Sequence, residues 1–171
     1  MKKVILGLAI GLMASSAFAD TNYIGGGFGR TAMADDAAPS FNVVIGHEIQ
    51  VADQFGLALE SGYTKFGDLT GTVDGTTGTL DMYGIPVKLK PTYHQDKFSV
   101  APYVGATWLH GDLTGDLSGS GDDTFMTYGL DIGYDVDEVV TLKAGYNYID
   151  ADVEGYSLPM KTINAQVVFK I

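Results

Sequence analysis

The sequence predicts an all-β fold, an eight-stranded antiparallel up-and-down transmembrane β-barrel. Its last segment alternates: the odd positions from Ile163 to Ile171 are all apolar, and most of the even positions are polar. Successive side chains of a strand point to opposite faces, so one face suits lipid and the other suits a polar interior. In lipid both edges of such a strand must be paired, and only a closed barrel pairs them all.

Residues 1–19 have the pattern of a secretory signal peptide. Lys2 and Lys3 precede the apolar run Val4 to Met13, and Ala17-Phe18-Ala19 fits a small-x-small cleavage site. An uncleaved anchor is the alternative, but the run falls short of the roughly 20 apolar residues that a spanning helix needs. We therefore expect a barrel domain over 20–171.

The alternation marks eight strands joined by links that are long and short in turn, which is the transmembrane barrel signature. The predicted strands are 22–31, 41–50, 55–66, 80–90, 98–109, 125–134, 139–149 and 162–171. The predicted long loops are 33–40, 67–79, 110–124 and 150–161, and the short links are 51–54, 91–97 and 135–138.

The alternation also predicts which side chains face lipid. Leu59, Val87, Leu130 and Val167 are expected to point outward, with Glu60, Lys88 and Asp131 pointing inward. The first strand contains Gly25, Gly26, Gly27 and Gly29, and its pattern assigns no facing.

Each apolar face carries a Tyr or Trp near its long-loop end. Such residues form the aromatic girdle of a membrane barrel, whereas a soluble lipocalin-like barrel, the main alternative, would have an apolar interior. The predicted girdle is Tyr63, Tyr83, Trp108, Tyr128 and Tyr148.

Composition excludes several classes of protein. The formal net charge is −11, and removal of Lys2 and Lys3 with the signal peptide would take it to −13, which disfavours nucleic acid as a partner. There is no cysteine, which excludes disulfides and thiol chemistry.

Several runs resemble the small outer-membrane barrels, a group that includes OmpX-like proteins, the OmpA membrane domain and the neisserial surface proteins. They are the glycine-rich first strand, Leu-Ala-Leu-Glu-Ser-Gly-Tyr at 57–63, Pro-Tyr-Val-Gly at 102–105 and Ala-Gly-Tyr-Asn-Tyr at 144–148. The resemblance implies a monomer in the outer membrane of a Gram-negative bacterium, with surface-exposed loops. Two departures are that the last residue given is Ile171 and not an aromatic residue, and that we expect none of the peptidoglycan-binding domain of the longer OmpA relatives.

Six charged residues fall on the predicted interior face. They are Glu48, Glu60, Lys88, Lys90, Asp131 and Lys143. Buried charges are costly unless paired, so we expect a charge network. An ion path or gate is the functional interpretation; a structural network that fills a narrow barrel is the favoured one.

Catalysis and tight metal binding have little support. His47, His94 and His110 lack metal-ligand spacing, and no Ser stands two residues after any of them, as it does in the lipid A deacylases that share this barrel type. No cofactor is expected. Asp112, Asp116, Asp122 and Asp123 are weak candidates for a divalent cation; a solvated charge run is the favoured interpretation.

Two functional hypotheses follow. The first is a non-enzymatic outer-membrane barrel that supports envelope integrity and surface interaction through its loops. The second is a narrow, porin-like channel for ions or small solutes. The expected partners are outer-membrane lipid and lipopolysaccharide; divalent cations are a weaker candidate, and no nucleic acid is expected.

Overall fold

The computed structural model is a closed antiparallel barrel in the order β1-β10-β7-β6-β5-β4-β3-β2. It describes residues 20–33, 36–73, 76–115, 118–153, 156–157 and 159–171. The predicted signal peptide lies outside these residues. The strands are β1 (Asp20–Met33), β2 (Asp36–Ala52), β3 (Phe55–Val73), β4 (Thr76–Gln95), β5 (Phe98–Gly115), β6 (Gly119–Asp135), β7 (Val140–Asp150), β8 (Asp152–Val153), β9 (Tyr156–Ser157) and β10 (Met160–Lys170).

Eight of these strands form the barrel, and β8 and β9 pair only with each other. This confirms the predicted fold. Among the described residues, no helix is long and apolar enough to cross a membrane.

The first and last barrel strands close the ring. They pair from Tyr23 opposite Lys170 to Met33 opposite Met160, and the hydroxyls of Thr31 and Thr162 lie 2.8 Å apart inside. On β10 the expected alternation is confirmed, because even-numbered side chains such as Gln166 are buried and odd-numbered ones are exposed.

The predicted facing of the other strands is also confirmed. Leu130 is exposed on the outer surface, and Leu59 and Val87 share that outward phase. Glu60 and Asp131 are buried inside the barrel.

The structure assigns a facing to β1. Tyr23 is buried inside, whereas Ile24 and Phe28 are exposed outside. Gly27 falls in the inward phase, and a Cβ there would collide with the β10 backbone and with Gln166. Glycine therefore lets β1 and β10 approach at the closing seam.

The predicted long loops were wrong in extent, because the strands continue through most of them. Val73 already pairs with Thr76, and Leu113 pairs with Gly119. The repeated run Gly-Asp-Leu-Thr-Gly at 67–71 and 111–115 supplies two strands that flank β4. Leu80 of β4 lies opposite a leucine of each run. The glycine and threonine content of these segments predicted loops. The leucines, however, make one face of each segment apolar, and burial of that face stabilises them as strands.

The short links are tight turns, and the predicted link 91–97 is mostly strand, since β4 runs to Gln95. Pro86 lies within β4, and the β3–β4 ladder is interrupted there, between the pairs Ser61–Val87 and Thr64–Gly84. The interruption is expected, because proline has no N–H to donate.

Candidate functional site

The middle of the barrel is filled by an ion-paired layer, made of Glu60, Lys88, Lys90 and Asp131. The Lys90 ammonium lies 2.8 Å from Glu60 Oε2 and 2.5 Å from Asp131 Oδ2, and Lys88 Nζ lies 3.7 Å from Glu60 Oε1. Glu60 and Lys90 are each only 1% exposed. Charges this deeply buried are retained because each meets an opposite charge.

Two tyrosines that were not predicted to belong to the charge network complete this layer. The Tyr23 hydroxyl donates to Glu60 Oε2 at 3.0 Å, and the Tyr103 hydroxyl donates to Asn147 Oδ1 at 3.0 Å. The Lys88 ammonium lies 4.6 Å from the centre of the Tyr103 ring, within cation–π range. These rings fill the cross-section between the charges.

Glycines on adjacent strands make room for the two rings. A Cβ at Gly46 would overlap the ring of Tyr23, and one at Gly129 would overlap that of Tyr103. The signal that could have identified these tyrosines is an inward glycine opposite each one. Tyrosine by itself is typical of the girdle, so it did not indicate an interior position.

The remaining two predicted network residues lie toward the short turns. Glu48 does not join the lysines; its Oε1 lies 2.6 Å from His94 Nε2. The Lys143 ammonium lies 4.4 Å from the centre of the Tyr23 ring. Both line a polar cavity of about 260 Å³, which the ion-paired layer bounds through Lys90 and Asp131.

This cavity is also lined by a serine and a histidine, the residue types of a nucleophile and its base. Ser99 lies directly opposite His94 in the β4–β5 register. No hydrogen bond joins the two among the described residues, and the His94 Nε2 atom is engaged by Glu48. The arrangement lacks the nucleophile–base contact that acyl transfer needs.

Toward the long hairpins the interior becomes an apolar layer. It consists of Ala38, Phe66, Leu69, Met82, Leu109, Ile149 and Met160. Ile149 and Met160 are at most 1% exposed. The interior is therefore closed twice, once by ion pairs and once by apolar packing.

The predicted girdle residues lie on the outer surface at the long-hairpin side. Their rings contact one another across strands: Tyr63 and Tyr83 have centroids 5.7 Å apart, Tyr83 and Trp108 5.9 Å, and Tyr128 and Tyr148 4.8 Å. A second belt at the short-turn end was not predicted. It pairs Phe55 with Tyr93, and Phe98 with Tyr134. Aromatic belts of this kind are typical of the membrane–water interfaces of a transmembrane barrel.

Beyond the girdle, four strands continue as a projecting sheet, defined here as 67–73, 76–82, 109–115 and 119–125. The β2–β3 ladder ends at Phe41–Lys65, and the β6–β7 ladder ends at Met126–Asp150. Among the described residues, 119–125 therefore pair only with β5. The sheet has an open edge on β6, where Ser120 to Thr124 are exposed.

The three acidic cation candidates that the structure describes lie on this sheet but do not converge. Asp112 lies 3.4 Å from His110, Asp122 accepts a hydrogen bond from Trp108, and Asp123 accepts one from the backbone of Thr124. Asp116 lies outside the described residues. Within the described part of the chain, no three His, Asp or Glu side chains are grouped as a metal would require.

A closed eight-stranded barrel with a lipid-facing apolar band, two aromatic belts and a filled polar interior defines a small outer-membrane barrel. The chain belongs to the family described as outer membrane protein beta-barrel domain, whose model matches residues 5–170. The protein is accordingly a Gram-negative outer-membrane protein. No curated protein sequence matches the chain significantly.

Solved structures share this fold at low sequence identity. Ail, the attachment invasion locus protein of Yersinia pestis, has a TM-score of 0.65 and 13% identity, covering 89% of this chain and 97% of Ail. The N-terminal β-barrel domain of Pseudomonas aeruginosa OprF has a TM-score of 0.52 and 19% identity, covering 88% of this chain and 97% of that domain. Neisserial surface protein A has a TM-score of 0.51 and 18% identity, covering 92% of this chain and all of that protein.

Proposed function

We propose that the protein is a monomeric, non-enzymatic barrel that supports the envelope and binds partners at the cell surface through its projecting sheet. The observation that carries the proposal is the open β6 edge. A strand edge presents unpaired N–H and C=O groups, to which an extended segment of another protein can add as a further strand.

The charge of the sheet indicates what kind of segment would bind. Its described acidic side chains are Asp68, Asp81, Asp112, Asp122 and Asp123. Lys65, which lies at the base of the sheet, is already engaged by Asp81 and Asp68. A cationic extended segment would be attracted to this surface. One solved structure of Ail contains the heparin analogue sucrose octasulfate, a polyanion; the acidic sheet of this chain would repel such a ligand.

Surface binding is tested by shortening the sheet. A variant with 68–80 and 111–123 each replaced by a two-residue turn should still insert, because the ion-paired layer and the belts are intact. Cells displaying this variant should bind fewer cationic, extended peptides than wild-type cells, measured by flow cytometry with labelled peptide. A matched control shortens the separate hairpin at 152–157. Equal binding by all three proteins would contradict the proposal.

The interior supports a closed barrel over the channel hypothesis. Ions would have to pass both the ion-paired layer and the apolar layer, and a barrel of eight strands has room for side chains but no water column. Planar-bilayer recordings of the purified protein are expected to show no steady current. Reproducible single-channel steps from the wild type would favour the channel instead.

The non-enzymatic assignment has its own test. Because Ser99 makes no hydrogen bond to His94 within the described residues, a fluorophosphonate probe is expected to leave the protein unlabelled. Labelling that Ser99→Ala abolishes would overturn the assignment.

A further inference from the structure

The distribution of cations over the barrel is uneven. Outside the predicted signal peptide there are eight lysines and arginines. Lys88, Lys90 and Lys143 are inside, Lys97 and Lys170 lie at the short-turn end, and Lys65 is paired with aspartates. Two remain, Arg30 and Lys161.

These two cations are neighbours on the outer surface. Arg30 of β1 lies opposite Ile163, and Lys161 of β10 lies opposite Ala32, so the two are diagonal partners across the closing seam. Diagonal side chains on one face are close enough to contact a shared group. Both are exposed, and no ion pair holds either of them within the described part of the chain. Asp150 lies on the same outer face, two residues beyond Tyr148, and within the described part of the chain no ion pair joins it to Lys161.

Their height on the barrel is set by their neighbours. Lys161 lies opposite Tyr148 of the girdle. Directly on the membrane side are Phe28 and Ile163, which are 79% and 67% exposed and are among the most exposed apolar side chains of the described residues. The surface is therefore apolar below and cationic above, at the long-hairpin interface.

We infer that Arg30 and Lys161 bind a phosphate group of an outer-leaflet glycolipid, whose acyl chain lies against Phe28 and Ile163. Arginine donates two parallel hydrogen bonds to a phosphate, and lysine adds a point charge. The adjoining apolar surface favours a phosphate attached to a lipid over a free one. The site lies on the β1–β10 side, across the barrel from the β4–β5 side of the projecting sheet, so it is independent of the function proposed for that sheet.

The inference is tested with mixed bilayers that contain bisphosphorylated lipid A and dephosphorylated lipid A in equal amounts. Native mass spectrometry of the released protein gives the ratio of the two lipids retained. The wild type should prefer the phosphorylated form. One cation at an anionic surface changes binding by about fivefold. The preference should therefore fall by about 25-fold in Arg30→Gln/Lys161→Gln, which lacks two cations.

A control variant removes the same charge elsewhere. Lys65→Gln/Lys97→Gln should keep the wild-type preference, because neither lysine lies at the seam. Arg30→Lys should keep most of it. Both changes at the seam are on exposed side chains, so the variant should still fold. Folding is checked by gel electrophoresis, in which the unheated, folded barrel migrates differently from the heat-unfolded chain. Equal lipid ratios for the wild type and Arg30→Gln/Lys161→Gln, or equal losses in the control, would overturn the inference. So would displacement of lipid A by millimolar inorganic phosphate, which would indicate a free-anion site.

Discussion

Two halves of the same strands follow opposite rules. Between the aromatic belts, β7 turns Leu142 outward and Lys143 inward; beyond the girdle it turns Asp150 outward and buries Ile149. Strands β3, β4 and β5 make the same change. The solvent explains it: lipid surrounds the first half, so apolar side chains face out, whereas water surrounds the second half, so they face in. One strand thus contains a membrane barrel and, beyond it, the core of a water-soluble sheet.

The ion-paired layer should give the largest effect when disrupted. Glu60→Gln leaves Lys88 without its charged partner in the barrel, and loss of one member of a buried ion pair costs about 3–5 kcal/mol. Urea titration of the protein folded in lipid vesicles measures the free energy of unfolding. Glu138→Gln, at an exposed turn, is the control; equal losses for the two variants would show that the layer contributes no special stability.

The apolar layer should come next. Ile149→Ala removes a fully buried side chain from the outer half, at an expected cost of about 2–5 kcal/mol. The same unfolding titration applies, with Val136→Ala at an exposed turn as the control, where the change should stay within about 0.5 kcal/mol. A similar small loss at Ile149 would mean that the outer half is held by its hydrogen bonds and not by its core.

The outer surface distinguishes the two halves most directly. Leu130→Lys places a charge in the lipid between the belts, where it should cost about 2–4 kcal/mol if near the midplane. Thr114→Lys places the same charge outward on the projecting sheet, where it should change stability by no more than about 0.5 kcal/mol. Vesicle folding titrations that give equal costs at both positions would contradict the assigned boundary.

The smallest effect is expected at a turn outside the membrane. Asp137 accepts hydrogen bonds from the backbone N–H groups of Val139 and Val140, and these bonds lower the pKa of its carboxyl. A lowered carboxyl pKa contributes stability above the unfolded pKa of about 3.9 and loses it as the pH falls through the folded pKa. The wild type should be slightly more stable than Asp137→Asn at pH 7, and the gap should close in acid. A pH-independent gap in unfolding midpoints would show that geometry, not charge, matters there.

The sequence predicts the half of the strands that lies in lipid, because apolar and polar side chains alternate regularly there. Lipid surrounds that half on all sides, so the outward positions are mostly apolar. Leu59 and Glu60 reveal their facing without any tertiary information. The outer half defeats the same reasoning, because its polar outward residues include many threonines, aspartates and glycines that are typical of loops. The inward leucines Leu69, Leu80 and Leu113 were the available signal, but their role depends on register between strands.

The interior site was predictable in kind but not in membership. Glu60, Lys88, Lys90 and Asp131 meet because the β3–β4 register sets Glu60 opposite Lys88 and the barrel is narrow. Glu48 instead contacts His94, because both residues lie nearer the short-turn end of the barrel than the lysines do. Tyr23 and Tyr103 were missed because space for a ring inside depends on a glycine across the strand, at Gly46 and Gly129.

The seam between β1 and β10 has a consequence for how the protein is made. Its partners, such as Tyr23 and Lys170, stand at opposite ends of the described chain. Contacts this distant in sequence form slowly, because a long loop must close, at a cost in entropy, before the contacts can stabilise the fold. Until the seam closes, β1 and β10 each present an unpaired edge, and a chain with unpaired edges is prone to aggregation. Once the seam forms, the phosphate-binding pair Arg30 and Lys161 exists for the first time, which makes lipid contact at this position a reporter of completed assembly.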